Sequence, residues 1–150
     1  MSISASITNV LNGTIDSVKS VIPLPIQIDK PTLIKQPYKQ VSLGVLIGMT
    51  GDVRGRLIIE GNEEVIGRIG QSMFGMPIEG EMLQSFAGEL GNMLAGNLAT
   101  SIAQKGVEMD ITPPTVLLGE TKLFGFEKAL CLPLSFEDIG KMSIILMVEN

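Results

Sequence analysis

Histidine is absent from the 150 residues, and that absence removes more chemistry than any other feature of the composition. Ser-His-Asp and Cys-His nucleophile systems need an imidazole base, and His-ligated metal sites need an imidazole nitrogen. The single cysteine, Cys131 in "ALCLPL", can form neither an internal disulfide nor a structural zinc cluster. It reads as a small buried hydrophobe in a reducing compartment, which makes a cytoplasmic location the expectation and the sequon at Asn12 a chance match. Aromatic residues are scarce, with five Phe, one Tyr and no Trp, so base stacking has little to draw on. The eleven Lys and Arg are scattered and the net charge is -5. Phosphate binding needs a basic footprint, so a nucleic-acid partner is excluded. No apolar run is long: "GVLIGM" and "SIILMV" are far too short to span a bilayer. The N-terminus also lacks the basic start and continuous apolar stretch of a secretory signal. Catalysis, if present, falls to carboxylates, amides, lysines or hydroxyls, or to groups on a partner.

What is present is a 45% apolar chain of a length that suits one domain with a substantial core. Ile3, Ile7, Val10, Leu11, Ile15 and Val18 recur at helical spacing and predict an amphipathic N-terminal helix. The proline-interrupted "IPLPIQIDKP" that follows reads as extended or edge structure. Val41–Met49 and Val53–Glu60 alternate as strands around Gly51-Asp52, a tight hairpin turn with glycine where positive φ is needed. Asn62 is placed to cap a helix that carries Val65, Ile66, Ile69 and Met73 and stops at Gly75. A long helix is expected from about Glu81 to about Lys105, followed by strands in "TVLLGE", "KALCLPLSF" and "KMSIILMVE". Strands and helices in separate blocks predict an α+β fold over residues 1–150: a largely antiparallel sheet covered on one side by two or three helices.

The long helix divides into faces at roughly 100° per residue. Leu83, Phe86, Leu90, Met93, Leu94, Leu98 and Ser101 form the side that must meet the sheet. The opposite side holds Ser85, Gly88, Glu89, Asn92, Ala95, Gly96, Ala99 and Ala103, nearly all small. Glu89 and Asn92 are the long functional side chains there, and their i, i+3 spacing points them the same way. Glycines at 88, 91 and 96 weaken a helix interior by up to about 1 kcal/mol each relative to alanine. That penalty makes sense if another surface must come close. Asn97 falls among the packed residues and reads as a buried amide tied to a neighbouring backbone. Taken alone, an exposed Glu and Asn are also ordinary solubilising residues.

The element Ser85-x3-Glu89-x2-Asn92, continuing as "MLAGN" and followed by Pro113 and Pro114 in "ITPPTVLLG", resembles the CheX branch of the CheC/CheX chemotaxis phosphatases. "VLIGMTGDVRGRLIIE" resembles the family's hairpin, and "EEVIGRIGQSMFGMPIE" resembles its first covering helix. The similarity spans most of Val41 to Asn150, while the first forty residues match loosely. The single copy of the signature favours the CheX type over the CheC-like members, which carry two. The prolines fall slightly nearer the asparagine than the usual spacing. The resemblance implies a phosphatase for phosphorylated CheY-type response regulators, working as a homodimer. Asn92 would orient the attacking water, and Glu89 would pair with a lysine of the regulator. Ser85, Gly88, Gly96, Pro113 and Pro114 would contact the partner. The resemblance implies no cofactor or metal of the chain's own, with Mg2+ in the regulator's pocket. Two rival readings stand beside this one. The first is a non-catalytic module that docks on a regulator. The second is a dimerisation domain in which "MSIILMV" builds an intersubunit sheet.

Overall fold

The computed structural model describes residues 3–35, 38–40, 42–126 and 129–149. Val41 and Lys128, at which two of the expected strands begin, lie outside the described residues. The chain opens with helix α1 (Ile3–Val21), then short strands β1 (Ile26–Ile28), β2 (Thr32–Ile34) and β3 (Tyr38–Gln40). The hairpin β4 (Leu43–Gly51) and β5 (Gly55–Gly61) leads into helices α2 (Glu63–Phe74) and α3 (Glu81–Ala103). Strands β6 (Met109–Ile111), β7 (Thr115–Leu118), β8 (Thr121–Leu123), β9 (Ala129–Phe136) and β10 (Gly140–Val148) complete it.

Local signals account for much of this. Gly51 turns the β4–β5 hairpin at φ 104, and a side chain there would strike the Glu108 carbonyl at 2.8 Å. Asp52 locks the same turn, donating its backbone N–H to the Glu108 carbonyl at 2.8 Å and accepting the Glu108 N–H on Oδ2 at 2.9 Å. Asn62 caps α2 by accepting the Val65 N–H at 2.8 Å, and Gly75 closes the helix in the left-handed conformation. The position of the hairpin, the Asn62 cap and the Gly75 stop match the sequence expectation, as does the span of α3. The turn itself is wider than the tight one expected: β4–β5 pairing ends at Met49 opposite Gly55, and β5 begins at Gly55 rather than at Val53.

The main sheet runs β1–β9–β10–β5–β4–β6, with β2 also on β9 and β7 also on β4, and its pairings are antiparallel. Pro133 interrupts β9 without damage. Its carbonyl accepts from Asp29 at 3.0 Å between the end of β1 and the start of β2, so its missing N–H lies on the side where the edge partner changes. One face of the sheet is covered by the helices. Val45, Ile47, Leu57, Ile59, Leu132, Ile144 and Leu146 meet Val10 and Val18 of α1, Ile66 and Ile69 of α2, and Leu90, Leu94 and Leu98 of α3 in a continuous core.

The opposite face is not bare. β3 pairs with β8 as a separate two-stranded ribbon, and Tyr38 and Phe126 bury Ile58, Ile145 and Met147 in a second, smaller core. Covering both faces explains the unbroken apolar run in β10, where Ile144, Ile145, Leu146 and Met147 are each 1% exposed. β10 is also flanked on both edges by β9 and β5. An intersubunit sheet built from "MSIILMV" is therefore ruled out, because the strand has no free edge to offer. Among the described residues, no helix is long and apolar enough to cross a membrane.

Candidate active site

The site begins with how closely α3 lies on the sheet. A methyl at Gly91 would stand 2.7 Å from Val45 Cγ1 on β4, so glycine here lets the helix backbone settle directly onto the strand. The close approach that this glycine serves is internal, not the docking of an outside surface. α1 then covers a second flank of α3: Ser17 donates its hydroxyl to the Leu94 carbonyl at 2.7 Å, and Gly13 lies against Leu98 and Ile102. Helix α3 is consequently buried over a wider arc than its leucines alone suggest. Ala95, expected on the open side, is 0% exposed, and Gly88 is also buried.

Asn97 departs from expectation in the other direction, because it is exposed. α2 reaches only the N-terminal half of α3, where Gly70 and Phe74 meet Phe86. α1 covers the other flank, so the amide of Asn97 stays exposed. The bridge to a neighbouring backbone expected of it is not formed among the described residues. What stays open along α3 is a stripe through Ser85, Glu89, Asn92 and Ala103, with Gly96 and Ala99 half-buried in it.

The second wall of the site comes from the strand pair β6–β7. β6 places Ile111 opposite Met49, and β7 places Thr115 opposite Leu46. Two residues of β4, Ile47 and Gly48, thus face three, Thr112, Pro113 and Pro114, which makes a β-bulge. Neither proline can donate to the ladder, so pairing lapses there and resumes beyond them. Thr112 anchors the bulge: its hydroxyl accepts the Gly48 N–H at 2.8 Å, and its own N–H donates to the Gly48 carbonyl at 2.9 Å. A side chain at Gly48 would sit 3.0 Å from that threonine.

Helix and bulge enclose an open groove of about 570 Å3, lined by Gln84, Ser85, Gly88, Glu89, Asn92, Ile111, Thr112, Pro113, Pro114 and Val116. Of the residues singled out in the sequence, Ser85, Gly88, Glu89, Asn92, Pro113 and Pro114 all line this groove. Gly96 does not; it lies further along the open stripe, with nothing within 4 Å of where a side chain would begin. Ile111, Thr112 and Val116 were not anticipated, and the signal for them was the proline pair that breaks the strand; Gln84, also not anticipated, comes from α3 beside Ser85. Glu89 and Asn92 stand exposed, one turn apart, and form no side-chain hydrogen bond or ion pair among the described residues. A carboxylate and a carboxamide thus face the groove with their bonding capacity unused. Among the described residues no group of three or more acidic or thiol side chains is placed to hold a metal ion. Cys131 belongs to the small core on the far face of the sheet, where burial pushes its thiol pKa up, away from the reactive thiolate.

A family model, Chemotaxis phosphatase CheX, matches residues 43–131, a span that includes α3 and the bulge. A CheY-P phosphatase CheX from Thermotoga maritima is 35% identical over 137 residues, covering 87% of this chain and 88% of the relative. This chain belongs to the CheX family. The solved CheX-CheY-BeF3-Mg2+ complex from Borrelia burgdorferi matches with a TM-score of 0.78 at 25% identity, covering 96% of this chain and 97% of that one. A CheC-like superfamily protein from Shewanella sp. PV-4 matches with a TM-score of 0.77 at 26% identity over the whole of both chains. The family resemblance carried by the α3 signature and the α+β architecture both hold.

Proposed function

We propose that this chain, as a single CheX-like domain in the cytoplasm, accelerates hydrolysis of the phosphoaspartate of a phosphorylated CheY-type response regulator. The observation that carries the reading is the pair Glu89 and Asn92, exposed on one helix face beside a groove and unused by the other described residues. The name of the Thermotoga relative, a phosphatase of phosphorylated CheY, supports the activity. The Borrelia complex of CheX with CheY supports the partner.

An acyl phosphate is already activated, and the regulator's own Mg2+ offsets charge on the phosphoryl oxygens. What remains is to hold a water in line with the scissile P–O bond. The Asn92 carbonyl accepts a hydrogen bond from that water, and its NH2 donates to a phosphoryl oxygen. The water oxygen bonds to phosphorus as the aspartyl oxygen leaves with the electron pair. The water's proton passes to phosphate or solvent, and the regulator regains its carboxylate. Glu89 pairs with a lysine of the regulator and fixes the register of α3 in the pocket. Misplacing the amide by about 1 Å would lower the rate on the order of 100-fold, so the anchor matters as much as the orienter. Ser85, Gly88, Gly96, Pro113 and Pro114 contact the regulator around this pair, and the chain acts as a homodimer, which sedimentation would test.

The deciding assay is phosphate release from an acyl-phosphate-loaded regulator with Mg2+, comparing wild type, Asn92→Ala and Glu89→Ala. Substoichiometric wild type should speed release, and Asn92→Ala should abolish the effect while circular dichroism shows the fold intact. Binding of the regulator by wild type without faster release would favour the non-catalytic docking module.

A further inference from the structure

Among the described residues six large apolar side chains are substantially exposed, and three of them, Phe74 (56%), Met76 (49%) and Met82 (51%), come from the short stretch that joins α2 to α3. Phe74 and Met82 also share Phe86 as a neighbour. The Phe74 ring stands edge-on to Phe86 with centroids 5.7 Å apart, and Phe86 follows Met82 by one turn on α3. Met82 also lies on the same line of the helix as Glu89, seven residues earlier. That separation is about 10 Å at 1.5 Å per residue.

We propose that Phe74, Met76 and Met82 form an apolar shoulder on which the response regulator docks beside its phosphorylation pocket. The inference rests on the function proposed above and adds where the affinity for the regulator comes from. A standard interface buries roughly 800 Å2 on each partner, a patch about 16 Å in radius. A regulator that receives Glu89 at the centre of such a patch must cover Met82. In the other direction along α3 it meets Gly96, Ala99 and Ala103, which offer a flat surface and no anchor. The shoulder supplies the anchor, with Glu79 and Glu81 exposed in the same stretch as an acidic rim. The matching partner surface is an apolar patch bordered by lysines. Methionine suits such a contact because its unbranched side chain adapts to the surface it meets.

The test is a Phe74→Ser, Met82→Ser double variant, with Leu33→Ser on β2, at the opposite edge of the sheet, as an exposed apolar control. Phosphate release is measured against regulator concentration, regulator binding is titrated directly, and the variant's own sedimentation is recorded. The expected result is KM and Kd raised about tenfold, or about 1.4 kcal/mol, with kcat at the wild-type value and the control unchanged. Wild-type turnover with KM unmoved in the double variant would overturn the shoulder while leaving the catalytic reading intact. No turnover by wild type, with regulator binding weakened in the double variant, would remove the catalytic reading and support the shoulder. A changed sedimentation coefficient with unmoved regulator affinity would assign the patch to a second copy of this chain and overturn the proposal.

Discussion

Alanine substitution at Gly91 and at Gly96 makes the same chemical change five residues apart on α3 and should have opposite effects. In an unconstrained helix interior, Gly→Ala stabilises by about 0.5–1 kcal/mol. At Gly96 nothing stands within 4 Å of the new methyl, so the full gain should appear. At Gly91 the methyl would lie 2.7 Å from Val45 Cγ1 and 3.2 Å from Val45 Cβ. Carbon atoms pack at about 3.5–4.0 Å, so helix and strand must separate by about 1 Å. Val45 cannot turn aside, because it is 1% exposed, stiff at χ1, and on a strand held by β5 and β7 at its two edges. Overpacking of this kind costs about 1–3 kcal/mol, which exceeds the helix gain.

The expected outcome for Gly91→Ala is therefore a net loss of about 1–2 kcal/mol, lowering Tm by about 2–8 °C for a protein of this size. Gly96→Ala should raise Tm by about 1–4 °C. Thermal unfolding followed by circular dichroism would read both. A rise in Tm for Gly91→Ala comparable to that for Gly96→Ala would refute the close-approach argument. Activity adds an independent check, since lifting α3 from β4 moves Glu89 and Asn92 away from the bulge. A displacement of about 1 Å would reduce kcat on the order of 100-fold, and partial relaxation would reduce it less.

Three further outcomes follow from named contacts. Asn62→Ala removes the acceptor for the Val65 N–H and should destabilise by about 1 kcal/mol in urea unfolding, with activity retained. Thr112→Val leaves the Gly48 N–H without its side-chain acceptor, which should lower stability by about 0.5–1.5 kcal/mol. It should also raise KM for the regulator by loosening the Pro113–Pro114 wall, with Thr112→Ser restoring both; a wild-type KM in Thr112→Val would detach the bulge from docking. Alkaline stability should decline. Tyr38, held neutral by desolvation and by its 2.6 Å hydrogen bond to Glu60, and Cys131, desolvated beside it, both have raised pKa values in the folded state. The unfolded chain releases these protons first, near about 8.5 for the thiol and about 10 for the phenol. Their stabilising contribution is thus complete below about pH 8 and lost as pH rises. Urea midpoints that fall between pH 8 and 10.5 in wild type, and fall less in Tyr38→Phe, Cys131→Ala, would confirm the sign.

Legibility in the sequence followed how local each cause was. α2 was readable because its cap Asn62, apolar spacing and left-handed Gly75 all lie within fourteen residues. The β4–β5 hairpin was readable from Gly51-Asp52 for the same reason. β3, β6 and β8 were not, since each is three residues long and carries no periodicity. The second core was present in the sequence as the continuous "IILM" of β10, which one-sided alternation cannot produce, but its cover, the β3–β8 ribbon, joins residues far apart in the chain.

The candidate site shows the same division more sharply. A helical wheel orders residues around α3 correctly, so Ser85, Glu89 and Asn92 fall together on the open side. It says nothing about how wide an arc the neighbours cover. α1 and the sheet together bury Ala95 and Gly88, whereas α2 stops short and leaves Asn97 in solvent. The groove needs one more fact that no single segment contains: two residues of β4 face three of the chain beside it. A bulge is a count made between strands, and Ile47–Gly48 and Thr112–Pro114 are more than sixty residues apart in sequence. The prolines mark where the ladder lapses, yet only the register across β4 shows that the surplus residue carries them to the helix face presenting Glu89 and Asn92. The acid and the amide were legible because a helix keeps them together; the wall opposite them exists only once the sheet has formed.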